Sequence, residues 1–215
     1  MQYVCYFCDG LFKLNGEIGV TPEESIIYED EHIFVTPDIA PVCDGHFLIV
    51  SKEHVNSFGN ANDLIFASLE KAKEYMKNHV FFGNRVLFFE HGAVLGQTAG
   101  ACIDHAHMHV IPLPQGMDIE KYISEYIPYE KSEADRKSLV TCAEEKQPYM
   151  FYEISGEKPW YYSVHHSIPH QFFRRIVCGH FSVTGFRWRE HYDKLESKES
   201  LQRTLQMGKR NNRLL

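Results

Sequence analysis

Polar and apolar side chains alternate strictly through His105-Ala106-His107-Met108-His109-Val110, and this period of two predicts a β-strand over Ala106–Ile111, stopped by Pro112 and Pro114. The same reading predicts a strand at His46–Ser51, opened by the turn Asp44-Gly45, and another at Arg85–Glu90. Ser25–Tyr28 and His32–Val35 are short β-branched and aromatic runs around the acidic turn Glu29-Asp30-Glu31, a strand or a hairpin. Leu64, Ile65, Leu69, Ala72 and Met76 instead recur at helical spacing, and Asn62 caps that helix, which runs to about Asn78. Further on, Ala134–Glu145, Pro169–Gly179 and Tyr192–Gly208 carry helical patterns, and Pro148–Tyr162 is aromatic and turn-rich, strand and loop. This order of elements predicts an α+β fold with an antiparallel sheet and packed helices, followed by an α/β extension.

At 215 residues the chain is one large domain, or one domain with a sizeable extension, and it holds a core without disulfide staples. We expect the break near residue 115, with residues 1–115 forming the functional domain and 116–215 packed on it, because no clean linker separates them. Apolar residues at 44% and charged residues at 24% describe a folded chain, and no apolar run approaches the roughly 18–20 residues of a membrane span. The start, MQYVCYFCDG, lacks a basic segment followed by a long apolar one, so the expected compartment is the cytoplasm and no membrane partner is expected.

Charge is uneven. Residues 1–115 hold 6 basic and 15 acidic side chains, against 16 and 14 in residues 116–215. An acidic first half argues against a broad nucleic-acid-binding surface, so any phosphate bound there is held by local donors. The locally basic run Arg203–Arg213 reads as a solvated helix end.

Against that background the row of histidines changes the picture. On a strand, His105, His107 and His109 share one face, and Ala106, Met108 and Val110 face a core. The outer two Cα atoms lie roughly 13 Å apart, so two neighbours can chelate one metal but all three cannot. The row is better explained as three different jobs: nucleophile, proton carrier, donor to phosphate. A loop with Gly92, Gly96 and Gly100 precedes it, of the kind that brings backbone amides close to a ligand. Cys43, Cys102, Cys142 and Cys178 read as small buried hydrophobes. Cys5 and Cys8 form a C-x-x-C with three readings: a zinc ribbon, which lacks its second pair; a redox pair, disfavoured by Asp9-Gly10; or half of a Cys₂His₂ zinc site completed from afar.

H-A-H-M-H-V-I resembles the signature of the histidine triad (HIT) superfamily, completely at His105, His107, His109, Val110 and Ile111. The resemblance extends over about residues 3–115 through C-Y-F-C, E-D-E, P-D-I-A-P and G-H-F-L-I-V-S-K-E-H in order. It implies a nucleotide-binding α+β domain, often a homodimer, acting without Mg²⁺ on the α-phosphate of a phosphoramidate, dinucleoside polyphosphate or similar nucleotide. His107 would form a covalent nucleotidyl-histidine and His109 would bond the phosphate or bridging atom. Asp38 matches the residue that takes the ribose hydroxyls; Ile27, His32 and Phe34 fall where the family builds its base pocket, and Gly100 and Ala101 lie in the glycine-rich approach. Zinc-containing members complete the C-x-x-C with histidines that here are His54 and His105, which makes Zn²⁺ structural and His105 a brace for the strand presenting His107.

The chain departs from the family in one place: short members carry G-Q-S just before the triad, whereas Gly96-Gln97-Thr98 stands earlier, with Ala99–Asp104 intervening. Gln171-Phe172-Phe173-Arg174-Arg175 resembles a Q-x-x-R-R-like helix of longer branches, and Arg174 or Arg175 then reaches the phosphates. Trp160, Tyr161, Tyr162, Phe186 and Trp188 read as core or interface. Two rival functions are a nucleotide-binding module with little catalysis whose C-terminal half binds a partner protein, and a metal-dependent hydrolase using His105 and His107 as an H-x-H ligand pair.

Overall fold

A computed structural model of the chain describes residues 5–10, 20–94, 99–101, 103–113, 115–127, 131–181 and 185–211. Eight strands form one antiparallel sheet: β1 Tyr28–Glu29, β2 Ile33–Pro37, β3 Phe47–Ser51, β4 Val86–Gly92, β5 His107–Pro112, β6 Ser132–Glu133, β7 Tyr149–Ile154 and β8 Trp160–Ser163. Their spatial order is β1-β2-β3-β5-β4-β7-β8-β6. Residues 132–163 therefore continue the sheet from β4 outward. The helices are α1 Pro22–Ser25, α2 Asp63–Tyr75, α3 Ile119–Ser124, α4 Arg136–Glu144, α5 Phe172–Phe181, α6 Trp188–His191 and α7 Leu195–Asn211. No helix among the described residues is long and apolar enough to cross a membrane.

Both sheet faces are covered. Ile65, Leu69 and Ala72 of α2, Leu139 of α4 and Leu201 and Leu205 of α7 pack on the face that carries Val86, Phe88, Met108 and Val110. Ile119 and Ile123 of α3 and Phe172, Phe173 and Ile176 of α5 pack on the opposite face, against Leu87, Phe89 and Ile111. Burial on two sides explains why β4 and β7 read as continuous apolar runs with no alternation. The imidazole face of β5 is buried as well: His105, His107 and His109 are each at most 8% exposed, because the C-terminal half and the N-terminal turn lie over them.

The local expectations hold with small shifts. Asn62 caps α2 by accepting from the Ile65 amide, and the helix continues as a wider turn over Met76–Val80. Leu64 departs from its assigned apolar stripe and is exposed. Ser25 ends the single turn α1, so the first hairpin arm shrinks to Tyr28–Glu29, paired with β2. Strand β5 ends on Pro112 itself. Ile119–Ser124, Ser132–Glu133 and Trp188–His191 were not predicted as elements. Gly96–Thr98, Cys102, Pro114 and Arg213 lie outside the described residues. Gly92 is glycine for a steric reason: it pairs with Tyr149 across β4 and β7, and a Cβ there would sit 2.2 Å from the Tyr149 ring.

Candidate functional site

Strand β5 lies between β3 and β4, so residues before β3 and on β4 flank the histidine row. His46, one residue before β3, and His91, on β4, thereby join His107 and His109 on one face; neither was singled out from the sequence. The signal for His46 was available, since it alternates with Leu48 and Val50 against Phe47 and Ile49.

Hydrogen bonds fix which nitrogen of each imidazole carries the proton. His107 Nδ1 lies 2.6 Å from the His105 carbonyl oxygen. A carbonyl only accepts, so Nδ1 is protonated and the Nε2 of His107 keeps its lone pair. His46 Nδ1 accepts from the Val42 amide at 3.2 Å, which places the His46 proton on Nε2. That N–H donates to His109 Nδ1 at 2.8 Å. In neutral His109 the remaining proton is then on Nε2. The two neighbouring imidazoles, 5.0 Å apart by ring centroid, offer opposite functions: a lone pair on His107 and an N–H on His109. His109 is also stacked on Phe89 at 4.5 Å, which fixes its plane. Burial lowers the pKa of both, with His105 and Asp38 opposing the shift at His107, so both imidazoles are neutral near pH 7. Burial likewise lowers His46 to about 4 and His91 to about 3.

Asp38 and Arg174 close one side. The Asp38 carboxylate accepts from the Ala40 amide at 2.8 Å and from Arg174 Nη1 at 2.7 Å. Arg174, at 2% exposure, also donates to the carbonyls of Phe186, Ala40 and Gly185. Four of its five N–H groups are thus committed among the described residues, which leaves one Nη1 hydrogen, and Arg174 lines the pocket. Gln171, in a left-handed conformation at φ 57°, ties this helix to the loop by donating its amide to the Gly100 carbonyl at 2.7 Å. Gly100 has φ 78° and no room for a Cβ against the Pro169 carbonyl.

The pocket enclosed by these groups is bounded by Asp38, Gly100, His91, His107, His109 and Arg174, and roofed by Tyr6, Phe7 and Trp188. Its space is about 30 Å³, enough for a phosphoryl group or one or two waters. Of the residues expected to bind nucleotide, Asp38, Gly100 and Arg174 line it. Ala101 is buried beside Gly100 without lining it. Phe34 is partly buried on the same sheet face, next to Leu48 and Val50. Ile27 packs in the core of the other face, against Gly208 of α7. Trp188, expected in the core, is both buried and part of the roof.

A second cluster adjoins the first. Cys5, Cys8, His54 and His105 bring four ligand atoms within 4.8 Å of one another. His105 Nε2 lies 2.7 Å from the Ser51 carbonyl, so its proton is there and the Nδ1 lone pair faces Cys5 Sγ at 3.3 Å and Cys8 Sγ at 3.6 Å. His54 Nδ1 lies 3.4 Å from Cys8 Sγ. With zinc–sulfur and zinc–nitrogen bonds of about 2.3 and 2.0 Å, a tetrahedron has edges of about 3.3–3.8 Å. The three measured spacings of 3.3, 3.4 and 3.6 Å fall in this range, and the donor set of two thiols and two imidazoles suits zinc. His107 is not among the four residues of this cluster, and its Nδ1 is engaged by the His105 carbonyl, while His105 turns its own Nδ1 toward the two cysteines.

Residues 21–116 match the family model of the HIT domain. An uncharacterized HIT-like protein of Methanocaldococcus jannaschii is 32% identical over 117 residues, which cover 53% of this chain and 81% of that protein. The protein hit of Bacillus subtilis is 33% identical over 114 residues, covering 50% of this chain and 70% of its own length. Among solved structures, a zinc-bound histidine triad family protein from Mycobacterium smegmatis is similar over 62% of this chain and 92% of its own, with 20% identity and a TM-score of 0.37. The chain belongs to the histidine triad (HIT) family, with a long C-terminal region beyond the matched domain.

Proposed function

We propose that this protein is a nucleotidyl hydrolase or transferase that works through a covalent nucleotidyl-histidine on His107. The observation that carries the proposal is the pair of opposite tautomers, with the His107 Nε2 lone pair beside the His109 Nε2–H in one dry pocket. In the first step His107 Nε2 attacks the α-phosphorus of a phosphoramidate or dinucleoside polyphosphate. The bond to the leaving group breaks while the His109 Nε2–H hydrogen-bonds the leaving atom; a polyphosphate departs as its anion, and an amine takes its proton from water. In the second step water or another acceptor attacks the phosphorus and its proton passes to solvent. The nitrogen–phosphorus bond breaks and a nucleoside monophosphate or its ester is released. The His105 carbonyl stabilises the positive charge that develops on His107, and the uncommitted Nη1 hydrogen of Arg174 bonds a phosphoryl oxygen. Asp38 remains the group nearest for a ribose hydroxyl, within its pairing to Arg174.

Residues 1–115 are the catalytic part in this reading, and 116–215 are its cover and its source of Arg174. The roof of Tyr6, Phe7 and Trp188 withdraws to admit a nucleotide, since the enclosed space holds only the phosphoryl group. Zinc held by Cys5, Cys8, His54 and His105 supplies a cross-link between the N-terminal turn and the approach to β5.

The test is intact-protein mass after brief mixing with adenosine phosphoramidate or a dinucleoside polyphosphate, quenched in alkali because the phosphorus–nitrogen bond is acid-labile. A nucleotidyl adduct is expected on the native chain and not on His107→Ala. Absence of both adduct and released mononucleotide would turn the assignment to a binding module.

A further inference from the structure

The polar atoms around the pocket divide unequally. Its one carboxylate, Asp38, is committed to Arg174 and to the Ala40 amide. The groups left over around it include the His107 lone pair, the His109 N–H, one Arg174 hydrogen, the His91 Nδ1–H, the Gln171 side-chain NH2 and the hydroxyl of Tyr6. The Tyr6 Oη is buried with no hydrogen-bond partner. Its ring is fixed in the roof by Phe7 and Trp188, both at 5.1 Å by centroid, so the hydroxyl is not a mobile end seeking solvent. An unpartnered buried hydroxyl is unfavourable in the ligand-free protein, and rotation about its own C–O bond is the only freedom it has to find an acceptor. A pocket of donors around one lone pair, with room for one phosphoryl group, supplies that acceptor when a phosphoryl oxygen occupies it.

We propose that Tyr6 is a substrate-binding residue whose hydroxyl donates to a non-bridging phosphoryl oxygen held between His107 and His109. It acts as a side-chain hydroxyl donor from the roof, on the turn between Cys5 and Cys8. The inference rests on the phosphoryl-binding part of the function proposed above, and not on the covalent step.

Tyr6→Phe keeps the ring and its two stacking partners and removes only the hydroxyl, and it gives the proposal a signature of opposite signs. In the ligand-free protein the melting temperature of Tyr6→Phe rises, by about 2–8 °C, because an unsatisfied group has been deleted. Affinity for AMP and for inorganic phosphate, measured by calorimetry on the metal-loaded protein, falls by about 10- to 100-fold. A structural role for the hydroxyl would lower the melting temperature and leave both affinities alone, and that result overturns the proposal. So does a native chain that binds neither AMP nor phosphate. If phosphate binding depends on Tyr6 while no adduct forms on His107, the covalent mechanism fails and this assignment stands.

Discussion

Replacing Arg174 with Met is the most informative single perturbation of the fold around the site. The guanidinium is 2% exposed and makes four hydrogen bonds, one of them an ion pair with the buried Asp38 carboxylate at 2.7 Å. Methionine fills most of the volume but leaves Asp38 charged in a dry site with a single amide donor, and it strips the carbonyls of Ala40, Gly185 and Phe186 of a donor. Breaking a buried pair by removing one partner costs about 3–5 kcal/mol, a large share of a total stability of about 5–15 kcal/mol. Asp38→Asn, which leaves the cation unbalanced, is expected to cost a similar amount. The double variant loses both charges together, so its cost falls short of the sum by about 2–3 kcal/mol. Urea denaturation followed by Trp fluorescence measures all three, because Trp188 lies in the same roof. A loss below about 1 kcal/mol for Arg174→Met, or strict additivity in the double variant, would refute the claim that this pair holds the C-terminal half to the site.

Two further outcomes follow from buried titrating groups and the metal-competent cluster. Between about pH 4.5 and 6.5 the folded chain keeps His46 and His91 neutral, at pKa about 4 and about 3, while burial holds a proton on Glu90, at about 7. Near pH 5.5 unfolding takes up nearly two protons at these histidines and more at His107 and His109, whose pKa values burial also lowers, and releases nearly one at Glu90, so stability falls as pH falls, by more than about 1.2 kcal/mol per pH unit, and Glu90→Gln steepens the slope by about another 1.2. Denaturation midpoints at three pH values measure it, and a flat profile for both proteins would sink the assignment of neutral histidines. The purified protein is expected to carry about one zinc per chain by elemental analysis, and chelation should lower its melting temperature, whereas Cys8→Ser should arrive without metal; full metal content in Cys8→Ser would exclude the four-ligand site.

The chemistry-bearing strand was legible because one face of β5 carries histidines and the other Met108 and Val110, a contrast that survives burial of both faces. The helix at Asn62 was legible because its cap and its periodicity are local. What escaped was set by distant packing. Strand β7, Tyr149–Ile154, falls where strand and loop were expected, but its sequence did not reveal that it pairs with β4 and so continues the sheet. His46 and His91 read as ordinary polar residues until the strand order placed them beside β5. Arg174 was placed near phosphate from the sequence, and the structure adds that most of its donors hold the protein to itself.

The strand order also governs how this protein meets other protein molecules. The HIT-matched segment ends its sheet at β4, seven residues long, and in this chain β7 pairs along its whole length. The outermost strands are then β1 and β6, of two residues each, too short to template a neighbouring chain. A chain cut after residue 116 would bare the full backbone of β4 together with the apolar flank of Leu87 and Phe89, and such an edge invites aggregation. The C-terminal half thus covers the β4 edge of the sheet that carries the histidine row. A second copy of this protein has helical surfaces to dock against and no long open strand to extend.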